Sequence, residues 1–293
     1  MSLPFKPMLS ASLDGVDLET LKYPLLASPK IDGLRCLIWE GVAYSRNAKP
    51  IRNRFVQEWA KNFHNLDGEL IVGSPTDPHC LANTQSGVMS FEGEPDFKFY
   101  CFDSPERICP EFDPAQDWLS EEVQDDRIVH VQQARVWNVQ QLLDQEEVAL
   151  HEGYEGLMLR SPTGPYKHGR STLREGYLMK LKRFQDGEAV VIALEEGHQN
   201  NNELERDELG RAKRSKVSSG LAPSGMVGTI IVEDPTWGTL RLAPGLMSHA
   251  ERIALLACPA SIVGRVVHWR SFGYGVKDKP RFPRYYGIRE DNV

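Results

Sequence analysis

Past residue 187 the chain becomes a series of short apolar runs set close together: EAVVIALEE, GMVGTIIVED, GTLRLA and SIVGRVVHW. Only one helical stretch, around SHAERIALL, interrupts them. Short strands in so small a segment bury their apolar faces by curling on one another, so residues 187–293 are expected to form a small β-barrel. The preceding part has a different texture. LRCLIW, an EG turn and VAYSR read as a hairpin. Residues 52–63 carry Phe55, Trp59 and Phe63 at helical spacing. DGELIV, FKFYCF and GLMLR read as buried strands, and WNVQQLLDQEEVALHEG as a helix with Asn138 at its N-cap. The expected fold class is α+β in two domains, residues 1–186 and 187–293, with the boundary and a hinge near residues 184–188. A chain of 293 residues is long enough for each to bury its own core.

Composition excludes several classes. No stretch has the length of a secretion signal or of a membrane span, so a chain that is not secreted, works in the cytoplasm and has no membrane partner is expected. The five cysteines are odd in number and lack CxxC spacing, which reads as reduced thiols. The net charge of −7 at first argues against a nucleic-acid partner. It hides an asymmetry. Residues 1–187 hold 20 Lys+Arg against 28 Asp+Glu, whereas residues 188–293 hold 14 against 13. Arg160, Lys167, Arg170, Arg174, Lys180, Lys182 and Arg183 crowd into one short segment with the single acid Glu175, and residues 211–216 read RAKRSK. A phosphate-binding groove needs only such local patches.

The segment SPKIDGLR places Lys30 between a proline and an acidic-glycine turn, with Arg35 five residues on. A free lysine amine is almost wholly protonated at neutral pH, and nearby cations and burial release its lone pair. Lys180 and Lys182, two apart in LMKLK, point the same way from one strand. Asp67 and Glu69 in LDGEL form a second same-face pair, suited to a sugar hydroxyl or a metal, and Glu155 in YEGLMLR adds a third acid. Each fragment alone also suits an ordinary turn or half-buried strand.

Their order carries more. KIDGLR, SRNAKPIRN, DGELIV, FKFYCFDS, EGLMLR and LMKLK follow one another as in the covalent nucleotidyltransferases, the DNA ligases, RNA ligases and messenger-RNA capping enzymes. HGRSTLREGYLMKLK and KPRFPRYYGIRED make the chain resemble the ATP-dependent DNA ligases, in particular the small two-domain type of large DNA viruses, from FKPMLSASL to IRED. The resemblance implies an ATP-grasp-like nucleotidyltransferase domain with antiparallel sheets and flanking helices, followed by a β-barrel OB-fold domain. It implies a monomer that uses ATP and Mg2+ (or Mn2+) to seal 3′-OH/5′-phosphate nicks in duplex DNA through a lysyl-AMP intermediate.

By the same resemblance Lys30 is the nucleophile, Phe102 stacks on adenine, and the backbone at Ser28 reads the base edge. Glu69 bonds the ribose and Arg46 lies beside the sugar and the nick phosphate. Asp67 and Glu155 serve the metal. Lys180 and Lys182 hold the α-phosphate, and Arg35 and Arg170 take the nick 5′-phosphate, with Arg174 in the same nucleic-acid-binding run. Arg281, Arg289 and Asp291 of the second domain orient the departing pyrophosphate, and Asp32 receives no role. A capping guanylyltransferase would use GTP and an RNA ligase would join RNA ends. An NAD-dependent ligase needs an extra nicotinamide-binding module, for which the 29 residues before Lys30 are too few. An inactive nick-binding module would not need every charged motif position filled. The polar tract at residues 199–224 is too poor in apolar residues to bury itself and is expected to lack a fold of its own, becoming a DNA clamp through Arg211, Lys213, Arg214 and Lys216.

Overall fold

A computed structural model describes residues 3–107, 109–182, 184–206, 212–215, 217–271 and 279–289. They divide into two compact units, one up to Lys182 and one from Phe184 onward.

The first unit contains strands β1 (Ala11–Ser12), β2 (Leu25–Pro29), β3 (Leu34–Trp39), β4 (Val42–Ser45), β5 (Leu66–Val72), β6 (Phe97–Asp103), β7 (Ile128–His130), β8 (Ala134–Val136), β9 (Gly156–Arg160) and β10 (Leu178–Lys182). Its helices are α1 (Arg54–Ala60), α2 (Cys80–Met89), α3 (Phe112–Glu122) and α4 (Val139–His151). The strands form two five-stranded sheets, ordered β1-β10-β9-β2-β8 and β4-β3-β5-β6-β7. Pairing is antiparallel except for β1 with β10 and β6 with β7.

Alternation along the strands decides what each sheet hides. Ala27, Leu157, Leu159, Met179 and Leu181 turn one face of the first sheet to Leu142 and Ala149 of α4. Cys36, Ile38, Leu66, Leu70, Phe97, Phe99 and Cys101 turn one face of the second to Val56, Val88 and Leu119 on α1, α2 and α3. The residues between them are the polar ones: Ser28, Arg160, Lys180 and Lys182 in the first sheet, Arg35, Asp67 and Glu69 in the second. Arg160 reaches Asp103 at 2.5 Å, so these polar faces look at each other.

Local chemistry sets the element ends. Helix α1 begins at Arg54 and not at residue 52 because Asn53 is its N-cap. Asn53 Oδ1 accepts from the Val56 N–H at 3.0 Å, while Nδ2 donates to the carbonyls of Ser90 at 3.0 Å and Gly93 at 3.1 Å. The aromatic stripe still packs, with Trp59 4.8 Å from Phe63 and 5.1 Å from Phe97 between ring centroids. Asn138 caps α4 as expected, accepting from the Gln141 N–H at 3.0 Å. Helices α2 and α3 fall where no helical pattern is read in the sequence.

The second unit holds β11 (Gln185–Asn200), β12 (Leu204–Arg206), β13 (Ala212–Arg214), β14 (Leu221–Asp234), β15 (Gly238–Leu242), α5 (His249–Ala257), β16 (Val266–Ser271) and β17 (Arg284–Ile288). Its main sheet runs β15-β14-β11-β16-β17 around a core of Val191, Val227, Ile230, Val232, Leu242, Val267 and Trp269. Among the described residues the edge strands meet at one parallel bridge, Ala243 with Arg284, where the Tyr285 N–H reaches the Ala243 carbonyl at 2.9 Å. In these residues the expected barrel is a curled sheet joined there and not fully closed.

The tract at 199–224 also differs from expectation. β11 and β14 stay paired out to Asn200 and Leu221, and β12 pairs with β13 from Leu204–Arg214 to Arg206–Ala212. Backbone pairing needs no apolar side chains, which is why a polar tract takes this form. Asn200 Nδ2 and Asn202 Nδ2 donate to the carbonyls of Ser215 at 2.7 Å and Val217 at 3.0 Å across the ribbon. Among the described residues no helix is long and apolar enough to cross a membrane, and the five cysteines are unpaired.

Asn53→Ala is expected to lower the stability of the first unit by about 1–2 kcal/mol, since it removes a cap and two side-chain bonds to the Ser90 and Gly93 carbonyls. Urea denaturation of the two proteins measures it. A loss within the error of the midpoint would mean that Asn53 does not set the start of α1.

Candidate active site

Two glycines set the close approaches on which the site is built. A Cβ on Gly33 would lie 2.4 Å from the Leu70 carbonyl oxygen and 2.3 Å from Ile71 Cδ1, so only glycine lets the turn after Lys30 lie against β5. A Cβ on Gly156 would lie 2.3 Å from the Leu181 carbonyl oxygen, at a φ of +133°. That close approach sets Glu155 beside the end of β10, and the Lys30 N–H completes the junction by donating to the Gly156 carbonyl at 2.8 Å.

Glu155 is the hub that results. Lys30 Nζ donates to its Oε2 and Lys182 Nζ to its Oε1. Burial alone would raise the Glu155 pKa, but the two ammonium groups outweigh it and hold the carboxyl below its ordinary range. Lys182 is lowered by burial, against the opposing pull of Glu155. Lys180, one strand position pair away on the same face, is lowered by burial and then by Lys30, Arg170 and Arg46. Three lysines and two arginines thus share their field with one carboxylate hub. Such a site favours a polyanion.

The facing sheet supplies the second part. Arg35 on β3 grips Asp67 on β5 with Nε and Nη2, both at 2.5 Å, and Nη2 also donates to the Met8 carbonyl at 3.3 Å. Tyr166 Oη donates to Asp67 Oδ2 at 2.8 Å. Asp67 is 0% exposed. The arginine lies over the Phe102 ring with Cζ 4.7 Å from its centroid, and Arg160 lies at 5.7 Å. Beneath them Asp103 takes Arg160 and, at 2.8 and 2.9 Å, both donors of Arg107. Glu69, paired with Arg35 across the strands, has its pKa raised to about 7 by burial, with Arg35 and Lys30 opposing the rise.

Ser28 is buried on β2 opposite Met158. Arg46 is exposed just past β4, and Arg174 is exposed in the segment between β9 and β10. Arg170, also exposed, donates to the Ser10 carbonyl at 2.6 Å. The structure brings Lys30, Glu155, Lys180 and Lys182 together, and Arg35 with Asp67, Glu69 and Phe102. Both carboxylates expected at the metal are engaged: the Asp67 oxygens accept from Arg35 and Tyr166, and the Glu155 oxygens from Lys30 and Lys182. Among the described residues no three His, Cys, Asp or Glu side chains converge on a common point. Magnesium in phosphate chemistry needs only one or two carboxylates beside the phosphates, and Glu155 fits that part.

In the second unit Arg281 lies with Cζ 5.5 Å from the centroid of its neighbour Phe282. Arg289 Nη1 donates to Glu188 Oε2 at 2.7 Å. Arg214 donates to the Asn202 carbonyl within the ribbon, and Lys213 sits on β13 opposite Glu205. Arg211, Lys216 and Asp291 lie outside the described residues, as does the Lys213 side chain. Sequence reasoning missed Tyr166, Asp103 and Arg107. Alternation along GLMLR places Arg160 on the lysine face, a signal from which the Asp103 ion pair was open to inference.

Residues 7–182 match the family described as ATP dependent DNA ligase domain. The chain belongs to the ATP-dependent DNA ligase family. The DNA ligase of African swine fever virus is 29% identical over 140 residues, which is 45% of this chain and about a third, 32%, of that protein's length. A solved Lig E DNA ligase, from a study of DNA binding with a minimal scaffold, superposes with a TM-score of 0.73 at 27% identity, covering 98% of this chain and 100% of that one. The Chlorella virus DNA ligase-adenylate gives 0.54 at 28% identity and 99% coverage of both chains. The fold is thus the α+β arrangement of nucleotidyltransferase and OB domains found in these ligases.

The raised pKa of Glu69 has a pH signature. The folded state holds the Glu69 proton more tightly than the unfolded chain does, so stability is lost as pH rises from about 4.5 through about 7. Glu69→Gln removes that loss. The stability of the variant relative to wild type should rise across this window, as read by denaturation at pH 5 and pH 8. A difference that stays flat or falls would contradict the burial of an ionisable Glu69.

Proposed function

We propose that this chain is an ATP-dependent DNA ligase that seals nicks in duplex DNA through an adenylate carried on Lys30. The observation that carries the reading is the convergence of Lys30 and Lys182 on Glu155 in a cationic cleft whose facing wall presents Phe102. The first unit is then the adenylation domain and the second the OB domain, with the β12–β13 ribbon as its DNA-contacting insertion.

Glu155 Oε2 accepts from Lys30 Nζ and so holds the amine in place for attack. Lys30 then attacks the α-phosphate of ATP and pyrophosphate leaves. Lys180 and Lys182 hold the non-bridging oxygens and neutralise the charge that builds there. Phe102 offers a ring face to adenine while Arg35 and Arg160 occupy its surroundings, the Ser28 backbone meets the base edge, and Glu69 meets the ribose. Magnesium bound at Glu155 and the phosphates would supply further charge neutralisation. Arg35 and Arg170, with Arg46 and Arg174 near the groove, receive the nick 5′-phosphate, which takes AMP from Lys30. The 3′-hydroxyl then displaces AMP. Arg281, Arg289 and Asp291 act on pyrophosphate in the first step, and Lys213 and Arg214 contact the duplex backbone.

Incubation of the purified protein with ATP and magnesium should give an AMP adduct on Lys30 by peptide mass spectrometry, and Lys30→Ala should abolish both the adduct and nick sealing. An adduct of unchanged yield in the variant, or one formed from GTP in preference to ATP, would refute the assignment. A second test addresses the ribbon. Replacing residues 201–220 by a two-residue turn should leave adduct formation within about twofold, while nick affinity falls roughly tenfold or more at moderate salt, as loss of several phosphate contacts requires. Unaltered nick affinity would remove the ribbon from the DNA interface.

A further inference from the structure

The segment before β1 gives its backbone to the active-site wall. The Met8 N–H donates to Tyr166 Oη at 3.2 Å, and the Met8 carbonyl accepts from Arg35 Nη2 at 3.3 Å. Two residues on, the Ser10 carbonyl accepts from Arg170 Nη1 at 2.6 Å. Leu9 ties the strap down on both sides: its N–H reaches the Gly169 carbonyl at 2.8 Å, and its carbonyl accepts from the Ser171 N–H at 2.7 Å. The Met8 side chain is 0% exposed, so the strap is anchored by burial as well. Both arginines assigned above to the nick phosphate therefore rest on carbonyls of one short strap.

Tyr166 closes this frame. Its hydroxyl donates to Asp67 Oδ2 at 2.8 Å and accepts from Met8, while Asp67 holds Arg35 through two bonds of 2.5 Å. Arg35 has five N–H donors in a rigid fork. Nε and Nη2 are used in these bonds, which turns Nη1 outward from the frame. A bond from the Tyr166 hydroxyl fixes the carboxylate plane, and that plane fixes the guanidinium. The Phe5 ring, 6.3 Å from the Tyr166 ring and 5.0 Å from Trp39, packs against the back of the tyrosine.

We propose that Tyr166 is a positioning residue for transfer of AMP to the nick, acting through Asp67 to hold Arg35 at the angle at which Nη1 meets the 5′-phosphate. This rests on the reading of Arg35 as a nick-phosphate ligand. Tyr166 touches neither ATP nor DNA in this role. It sets the rate of the step in which the Lys30–AMP bond breaks and a bond from the 5′-phosphate oxygen to the AMP phosphorus forms. Small errors of placement at a reacting phosphate are expensive in rate, on the order of tenfold or more for a fraction of an ångström to 1 Å.

The test is a double-mutant cycle on pre-adenylated enzyme: wild type, Tyr166→Phe, Arg35→Lys and the double variant, each mixed with nicked duplex in single turnover. Tyr166→Phe should slow AMP transfer roughly tenfold. Arg35→Lys should slow it more, and the double variant should be no slower than Arg35→Lys alone, because the hydroxyl has nothing left to position. The ratio of AMP transfer to lysyl-AMP formation should fall in Tyr166→Phe. A structural role alone would instead lower the thermal midpoint and slow both steps alike. Losses that multiply in the double variant, or a Tyr166→Phe rate equal to wild type, would overturn the positioning role while leaving Arg35 in place. An Arg35→Lys rate equal to wild type would remove the reading on which the proposal rests, and the proposal with it.

Discussion

Asp103 joins the two sheets of the first unit. Its carboxylate, 2% exposed, is shared between Arg160 from the first sheet and Arg107 from the segment after β6, so three charges lie out of water together. Burial pushes the Asp103 pKa up, but Arg160 and Arg107 outweigh it and the carboxyl stays ionised. Such a triad is no cheaper than a packed apolar patch, since the desolvation of each ion is large. What it provides is a seam that holds two sheets face to face while their facing surfaces remain polar. An apolar seam would draw the sheets together and close the cleft. The contacts that cross between the sheets, such as Arg160 over the Phe102 ring, presuppose that spacing.

Much of this was legible in the sequence where one residue does one local job. Asn138 stands where a cap belongs, and it caps, accepting from the Gln141 N–H. The same-face pair Lys180 and Lys182 follows from strand alternation alone, whereas the meeting of Lys30 with Glu155 depends on the pairing of β2 with β9, which alternation does not give. The misses have a common cause. Asp67 is sealed by Arg35 and by Tyr166, 99 residues away, and no local pattern carries that distance. Helix α2, CLANTQSGVM, holds a glycine and four polar residues and lacks a side-chain cap, so packing against β5 and not propensity makes it a helix.

The second unit shows the opposite balance. Its strands were plain from their Val and Ile content, but closure was not, because closure depends on where edge strands end. Ala243 and Arg284 meet once, and the sheet stops short of a continuous ladder there. Trp269 compensates inside: its Nε1 donates to Asp234 Oδ2 at 2.9 Å, and Asp234 Oδ1 caps the turn at Thr236 and Trp237 at 2.9 and 3.0 Å. One buried carboxylate thus sets the β14–β15 turn and the orientation of the largest core side chain.

Among the described residues β12 and β13 pair with each other alone, so each strand keeps an unmet row of backbone donors and acceptors. Such edges invite pairing with a neighbouring molecule, and Leu204 and Val217, 59% and 57% exposed, would strengthen it. Two β12 edges brought together would set Glu203 and Glu205 against their own copies, and like charges facing each other oppose that pairing. The acids of β12 thus have a second use beside any duplex: they disfavour the zipping of one molecule's ribbon onto the same edge of the next.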